Sequence, residues 1–194
     1  APAGFAVLEL FTSEGCSSCP PADALAAAIA KEEQQRGRPV HVLAFHVDYW
    51  DSLGWPDRFA SREFSDRQRA YAKALGERAG GGSGVYTPQM IVNGERGFVG
   101  SERSTARASI DAALAKPASV ALALNIPERR AGDPLRIAVR ATHRNADPAD
   151  LVLCAALVED GLETRVARGE NAGRTLRHDR VVRAFATARP GTDA

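Results

Sequence analysis

Cysteine, methionine and long apolar runs are scarce in this 194-residue chain, and each scarcity excludes something. Three cysteines are too few to staple a small secreted fold. The longest apolar stretches, such as residues 24–30 and 120–124, stop far short of a bilayer span, so no membrane-spanning segment is expected. No charge of one sign dominates: 25 Lys and Arg stand against 24 Asp and Glu. With no basic cluster either, nucleic acid and anionic membrane surfaces are set aside as partners. What remains is ordinary globular composition, 44% hydrophobic and 25% charged, on a chain long enough for one large domain or two small ones.

The chain begins Ala1-Pro2-Ala3, without Met, just ahead of a strand-like run. Small residues there match a processed secretory N-terminus, so a periplasmic or secreted location after signal-peptide removal is expected. Residues 6–11 and 40–47 are apolar on both faces and predict buried strands. Between them, Pro20-Pro21 opens a helix, since a first turn tolerates proline, and Gly37 and Pro39 close it. Phe59, Phe64, Tyr71, Ala72 and Leu75 fall on one helical stripe. Asn93-Gly94 between two short apolar runs predicts a two-residue hairpin. A last helix, capped by Ser101 and ended by Pro117, carries Ala106, Ile110, Ala113 and Leu114 inward. The predicted order over residues 5–116 is β-α-β-α-β-β-α. Past Pro117 the pattern changes to short strands separated by turns, predicting a small antiparallel, sandwich-like β domain over residues 118–194 behind an α/β domain over 1–117.

Cys16 and Cys19 bracket two serines at the point where the first strand runs into the first helix. A thiolate is the nucleophile of thiol chemistry, and the free N–H groups at a helix start stabilise it. Cys16 is expected there, partly exposed and with a depressed pKa, and Cys19 one turn deeper. The spacing is also half a zinc site, but the four histidines supply no second pair at zinc spacing, which argues against a closed structural zinc. An open soft-metal site stays possible on the residues alone: Cys16 and Cys19 holding Cu(I), with His46 or the single methionine, Met90, as third ligand.

The predicted element order resembles the thioredoxin fold. In that fold a cis-proline begins the third strand and lies against the Cys-x-x-Cys, and Thr87-Pro88 stands at that place. The resemblance therefore implies a thioredoxin-like α/β domain in which Cys16 attacks, Cys19 resolves and Thr87-Pro88 is a cis peptide. The long segments ELFTSEGCSSCPPADAL (9–25), HVDYWDSLGWPDRF (46–59), RQRAYA (67–72), VYTPQMIVNG (85–94) and RGENAGRTLRHDRVVRA (168–184) are similar to an exported bacterial family catalogued as domain of unknown function 1223. Members continue past a segment like this C-terminus, implying a closing strand beyond it. The family brings no substrate. The expectation is a thiol–disulfide oxidoreductase with no cofactor beyond its redox-active disulfide, acting on a thiol or disulfide protein or on a small thiol.

Thioredoxins keep a buried acid six residues before the first cysteine, where this chain has Leu10. Its neighbour Glu9 points to the opposite face and needs either a structural partner, such as an arginine, or a role at the site. His46 and Asp48, two apart on a strand, share a face at the rim that holds Cys16, followed by Tyr49, Trp50 and Trp55. These form a candidate wall for a peptide or small-thiol groove, although packing is the expected role of the tryptophans. Cys154, in the apolar run LVLCAALV, is expected to be a buried, unpaired core residue. His143 and His178 are assigned no role, and the polar loop 169–174 is a hairpin connection that the resemblance would dock on the first domain.

Overall fold

The structure, a computed structural model, describes residues 4–80, 84–128, 130, 132–133, 135–143 and 151–189. The processed-looking residues 1–3, residues 81–83 of the run AGGGSG (79–84), which reads as a loop, and Asn145-Ala146-Asp147-Pro148, which reads as a turn, lie outside these. From β1 (Ala6–Thr12) the chain passes through α1 (Pro20–Gln35), β2 (Val40–His46), a 3-10 turn (Asp48–Leu53) and α2 (Arg62–Leu75). The hairpin β3 (Gln89–Val92) and β4 (Arg96–Val99) then leads into α3 (Arg103–Ala115). This is the order read from residues 5–116.

The strands assemble into a six-stranded mixed sheet of order β4-β3-β1-β2-β10-β7, where β7 is Leu153–Glu159 and β10 is Val181–Ala188. β1 and β2 run parallel, and β3 pairs antiparallel with β1. The alternation of a central strand sorts its side chains onto two faces. Leu8 and Leu10 of β1, with Val42, Met90 and Val92, pack beneath α1 and α3 against Leu25, Ile29 and Ile110. Phe11, Phe45 and Ile91 turn to the other face, under Phe64 and Leu75 of α2. At the hairpin tip, Asn93 (φ 49°) and Gly94 (φ 67°) both take the left-handed conformation that such a turn requires. Asn93 also accepts the Val7 N–H and donates to the Phe5 carbonyl, tying the turn to the start of β1.

Two expectations need correction. Ser101 does not cap α3; Glu102 occupies that position, with no side-chain cap, and its carboxylate instead accepts from the Thr105 hydroxyl. Residues 118–194 were expected to form a sandwich of their own, but β10 pairs with β2, and β7 with β10, so the sheet begun by β1 continues through both. The other described strands make two ribbons. One pairs β5 (Val120–Asn125) with β6 (Ala138–His143), and the other pairs β8 (Leu162–Arg165) with β9 (Thr175–His178). A sandwich needs two apolar faces stacked on each other. Leu122 and Leu124 on the β5–β6 ribbon are instead exposed, while Val181 and Val182, at the start of β10, are buried in the main sheet.

Candidate functional site

Cys16 and Cys19 are joined as a disulfide at the end of β1, their Cα atoms 5.4 Å apart. Cys19 is the N-cap of α1, its carbonyl accepting the N–H groups of Ala22 and Asp23, and Pro20 and Pro21 begin the helix. Cys19, not Cys16, therefore holds the helix start, with Cys16 in the turn before it, and the expected exposure of Cys16 is corrected too: both cysteines are fully buried. The polar loop between β8 and β9 docks on the cysteine segment. Asn171, itself fully buried, donates through Nδ2 to the carbonyls of Glu14 (2.9 Å) and Cys16 (3.0 Å). Beside it, Glu170 Oε2 accepts the Ser17 N–H at 2.9 Å. Arg174 holds Asn171 by its Oδ1, and Gly169 (φ 77°) packs on Trp55, where an added Cβ would come within 3.2 Å of that side chain.

Thr87-Pro88 is a cis peptide, and Pro88 shares the surroundings of Gly100 with Ala22 of α1, three residues after Cys19. A Cβ built on Gly100 would lie 3.0 Å from Pro88, 3.1 Å from Ala22 and 3.1 Å from Leu10, so glycine permits this three-way junction. Trp50 Nε1 donates to Thr87 Oγ1 at 2.8 Å, and the Trp50 stem lies against Gly15. Trp50 thus spans from the cysteine loop to the proline loop. Gln68 fixes the neighbouring segment, donating to the Tyr86 carbonyl and to Gln89 Oε1.

Behind the disulfide loop lies a buried acid–imidazole network. His46 Nδ1 bonds Asp57 Oδ2 at 2.6 Å, and the same carboxylate accepts the N–H groups of Glu14 and Phe59. Glu14 accepts from Trp55 Nε1 at 2.9 Å and bonds His178 Nε2 at 3.1 Å. The His46 and His178 rings meet edge to face, 5.0 Å between centroids, and Phe59 packs on both. Burial pushes Asp57 and Glu14 up, but His46 on the first and the His178 and Trp55 bonds on the second outweigh it, holding both carboxyls below the usual range. Burial opposes charge on His46 as well, and the Asp57 carboxylate wins, so His46 is raised. Asp23, on α1, is raised because there burial outweighs the two imidazoles.

The remaining predicted residues separate from this group. His46 turns to Asp57, not to Asp48; Asp48 instead bonds Ser65 of α2 by side chain and N–H. Tyr49 donates to Gln68 Oε1, and burial pushes its hydroxyl up to about 12. Glu9 has a structural partner: Arg67 donates to it twice (2.6 and 2.7 Å) and Tyr71 once (2.6 Å), on the sheet face under α2. Met90 is core beneath α1. Cys154 is free and exposed, against the expectation of burial, because β7 is the sheet's edge strand. Sequence reasoning missed Asp57, Glu170, Asn171 and His178. Glu170 and Asn171 left a signal in the loop that the resemblance docks on the first domain, and His178 left one by lying two residues after buried Leu176 in a four-residue strand whose inward positions alternate. Among the described residues, no group of three His, Cys, Asp or Glu is arranged to hold a metal ion, and no helix is long and apolar enough to cross a membrane.

The fold and site define a mixed α/β protein whose Cys-x-x-Cys disulfide is sealed at a helix N-terminus. The family described as "Protein of unknown function (DUF1223)" matches residues 7–192, and the chain belongs to that family. The crystal structure of a protein from Agrobacterium tumefaciens is similar at 33% identity and a TM-score of 0.65, over 96% of this chain and 73% of that one. HBP35 of Porphyromonas gingivalis shares the fold at 14% identity and a TM-score of 0.63, over 100% of this chain and 60% of that one. No curated protein matches.

Proposed function

We propose that the chain is a thioredoxin-like thiol–disulfide oxidoreductase of a periplasmic or secreted setting, working through Cys16 and Cys19. The observation that carries this reading is the Cys16–Cys19 disulfide closed at the N-terminus of α1. The cis Thr87-Pro88 peptide beside the same helix start supports it.

In the reductive direction the Cys16 thiolate attacks a substrate disulfide, and one substrate sulfur leaves as thiolate while a mixed disulfide forms. Cys19 then loses its proton and attacks Cys16 Sγ, expelling the second substrate sulfur. Two electrons pass from the dithiol to the substrate, whose two sulfurs take up two protons. A thiol protein or small thiol restores the dithiol; the oxidative direction is the same sequence reversed. The α1 N-terminus favours the Cys16 thiolate over the thiol.

The test is trapping on a non-reducing gel. Cys19→Ser should accumulate mixed disulfides, because attack proceeds and resolution cannot. Cys16→Ser should accumulate none. Equal trapping by both variants, or none by either, counts against the assignment.

A further inference from the structure

The loop between β8 and β9 puts a carboxylate inside the cysteine motif. Ser17 directly follows Cys16 in the turn that leads to the N-cap of α1, so its N–H is a backbone dipole beside the attacking sulfur's own residue. Here Glu170 Oε2 takes it, at 2.9 Å. Asn171 holds the loop in register by bonding the Glu14 and Cys16 carbonyls from the other side. The acidic groups around Cys16 are otherwise matched. Glu14 is bonded to His178 and Asp57 to His46, burial drives Asp23 towards its neutral form, and Arg174 is turned to the neutral Asn171 amide.

We propose that Glu170 is a positioning residue of the disulfide site, its charge disfavouring the Cys16 thiolate and so holding the Cys16–Cys19 pair oxidised until the loop is displaced. The inference rests on the oxidoreductase reading for its purpose, but its physical content does not. The oxidised pair is neutral and tolerates a carboxylate one peptide group away. The reduced pair carries a thiolate that the carboxylate repels. The bond to Ser17 pulls the Glu170 pKa down, so the charge is present at neutral pH. Both cysteines are fully buried, and the loop is bonded to the backbone on either side of the Cys16 carbonyl carbon, so displacing it frees the cysteine segment for a substrate.

Glu170→Gln separates charge from cover, since its amide oxygen can still accept the Ser17 N–H. In a Cys19→Ser background, Cys16 ionisation is followed by thiolate ultraviolet absorbance, with and without Glu170→Gln. The acid dissociation constant should rise roughly tenfold with Gln, as expected for removing a like charge at short range. With both cysteines present, equilibration against glutathione should shift about tenfold towards the dithiol, equal to about 30 mV. Glu170→Asp should stay closer to the parent than Gln does. Unchanged ionisation and equilibrium in Glu170→Gln overturn the proposal. So does a shift in Glu170→Ala alone, which would leave the loop as cover only. If neither cysteine variant traps partners but Gln still shifts Cys16 ionisation, the oxidoreductase reading fails and this one stands.

Discussion

His46 Nδ1 bonds Asp57 Oδ2 at 2.6 Å, and both side chains are sealed from solvent. The pair joins the end of β2 to the segment before α2, and through the Glu14 N–H it also ties down the loop leading to Cys16. Removing one member of a buried pair leaves the other uncompensated, so Asp57→Ala should cost about 3–5 kcal/mol. The pH dependence has two limbs. His46 is raised, so its contribution is complete below about 6.5 and is lost as pH climbs through the folded value. Asp57 is depressed, so its contribution is complete above about 3.9 and is lost as pH falls through its folded value. Stability from the pair should therefore peak between those limits. Urea midpoints across pH should show both limbs in the parent and shallower ones in Asp57→Asn, where Glu14 still supplies an acid limb; identical profiles would contradict the coupling.

Glu9 lies on the other face of β1 from the buried position that thioredoxin gives its acid. Its carboxylate is saturated by Arg67 and Tyr71. Glu9→Ala should therefore destabilise without changing the rate at which reductant opens the Cys16–Cys19 disulfide. The cost should fall near the low end of roughly 3–5 kcal/mol for a broken buried pair, because the Arg67 side chain keeps 24% of its surface in solvent. Denaturant unfolding and reduction kinetics on one preparation check both halves, and slowed reduction at unchanged stability would give Glu9 a role at the site.

Much of the fold was legible because it is local. Apolar runs on β1 and β2, prolines at the start of α1 and Asn93-Gly94 at the hairpin tip each act within a few residues. Pairing of Val181 with Ala44 has no local signature, since β10 reads as one more short strand until it finds the open edge of β2. The site divides the same way. Cys16 and Cys19 announce themselves by spacing, whereas Asp57, Asn171 and Glu170 act through bonds between distant segments that give a single sequence no period or motif. The His46–Asp57 bond was hidden for a related reason: strand spacing says which face a residue takes, not which loop carboxylate reaches it first.

Gly100 sits where the proline loop, α1 and β1 converge. Gly100→Ala would press a methyl group to within 3.1 Å of Pro88, Ala22 and Leu10 at once. Overpacking of this kind costs about 1–3 kcal/mol. The displaced neighbours include Pro88 and the first turn of α1, so the variant should also change how fast a small thiol opens the Cys16–Cys19 disulfide. A stability loss with unaltered kinetics would separate the proline loop from the site.

Cys154 tests the sheet's edge. LVLCAALV reads as a strand buried on both sides, and such a cysteine would resist alkylation until the protein unfolds. In the structure β7 is an edge strand, leaving Val152 and Leu157 exposed on either side of a free, exposed Cys154. The thiol lines an open groove of about 1050 Å³ with Glu9 and Phe185 of the sheet and Arg67 and Tyr71 of α2. Since Cys16 and Cys19 are joined, the oxidised native protein should take up a single maleimide, at Cys154, without denaturant, and Cys154→Ser should take up none. The serine variant should unfold within about 0.5 kcal/mol of the parent, as exposed substitutions do. Labelling that waits for denaturant would mean that β7 is covered in solution and the groove closed. Two equivalents beyond Cys154 would mean instead that the Cys16–Cys19 pair is reduced.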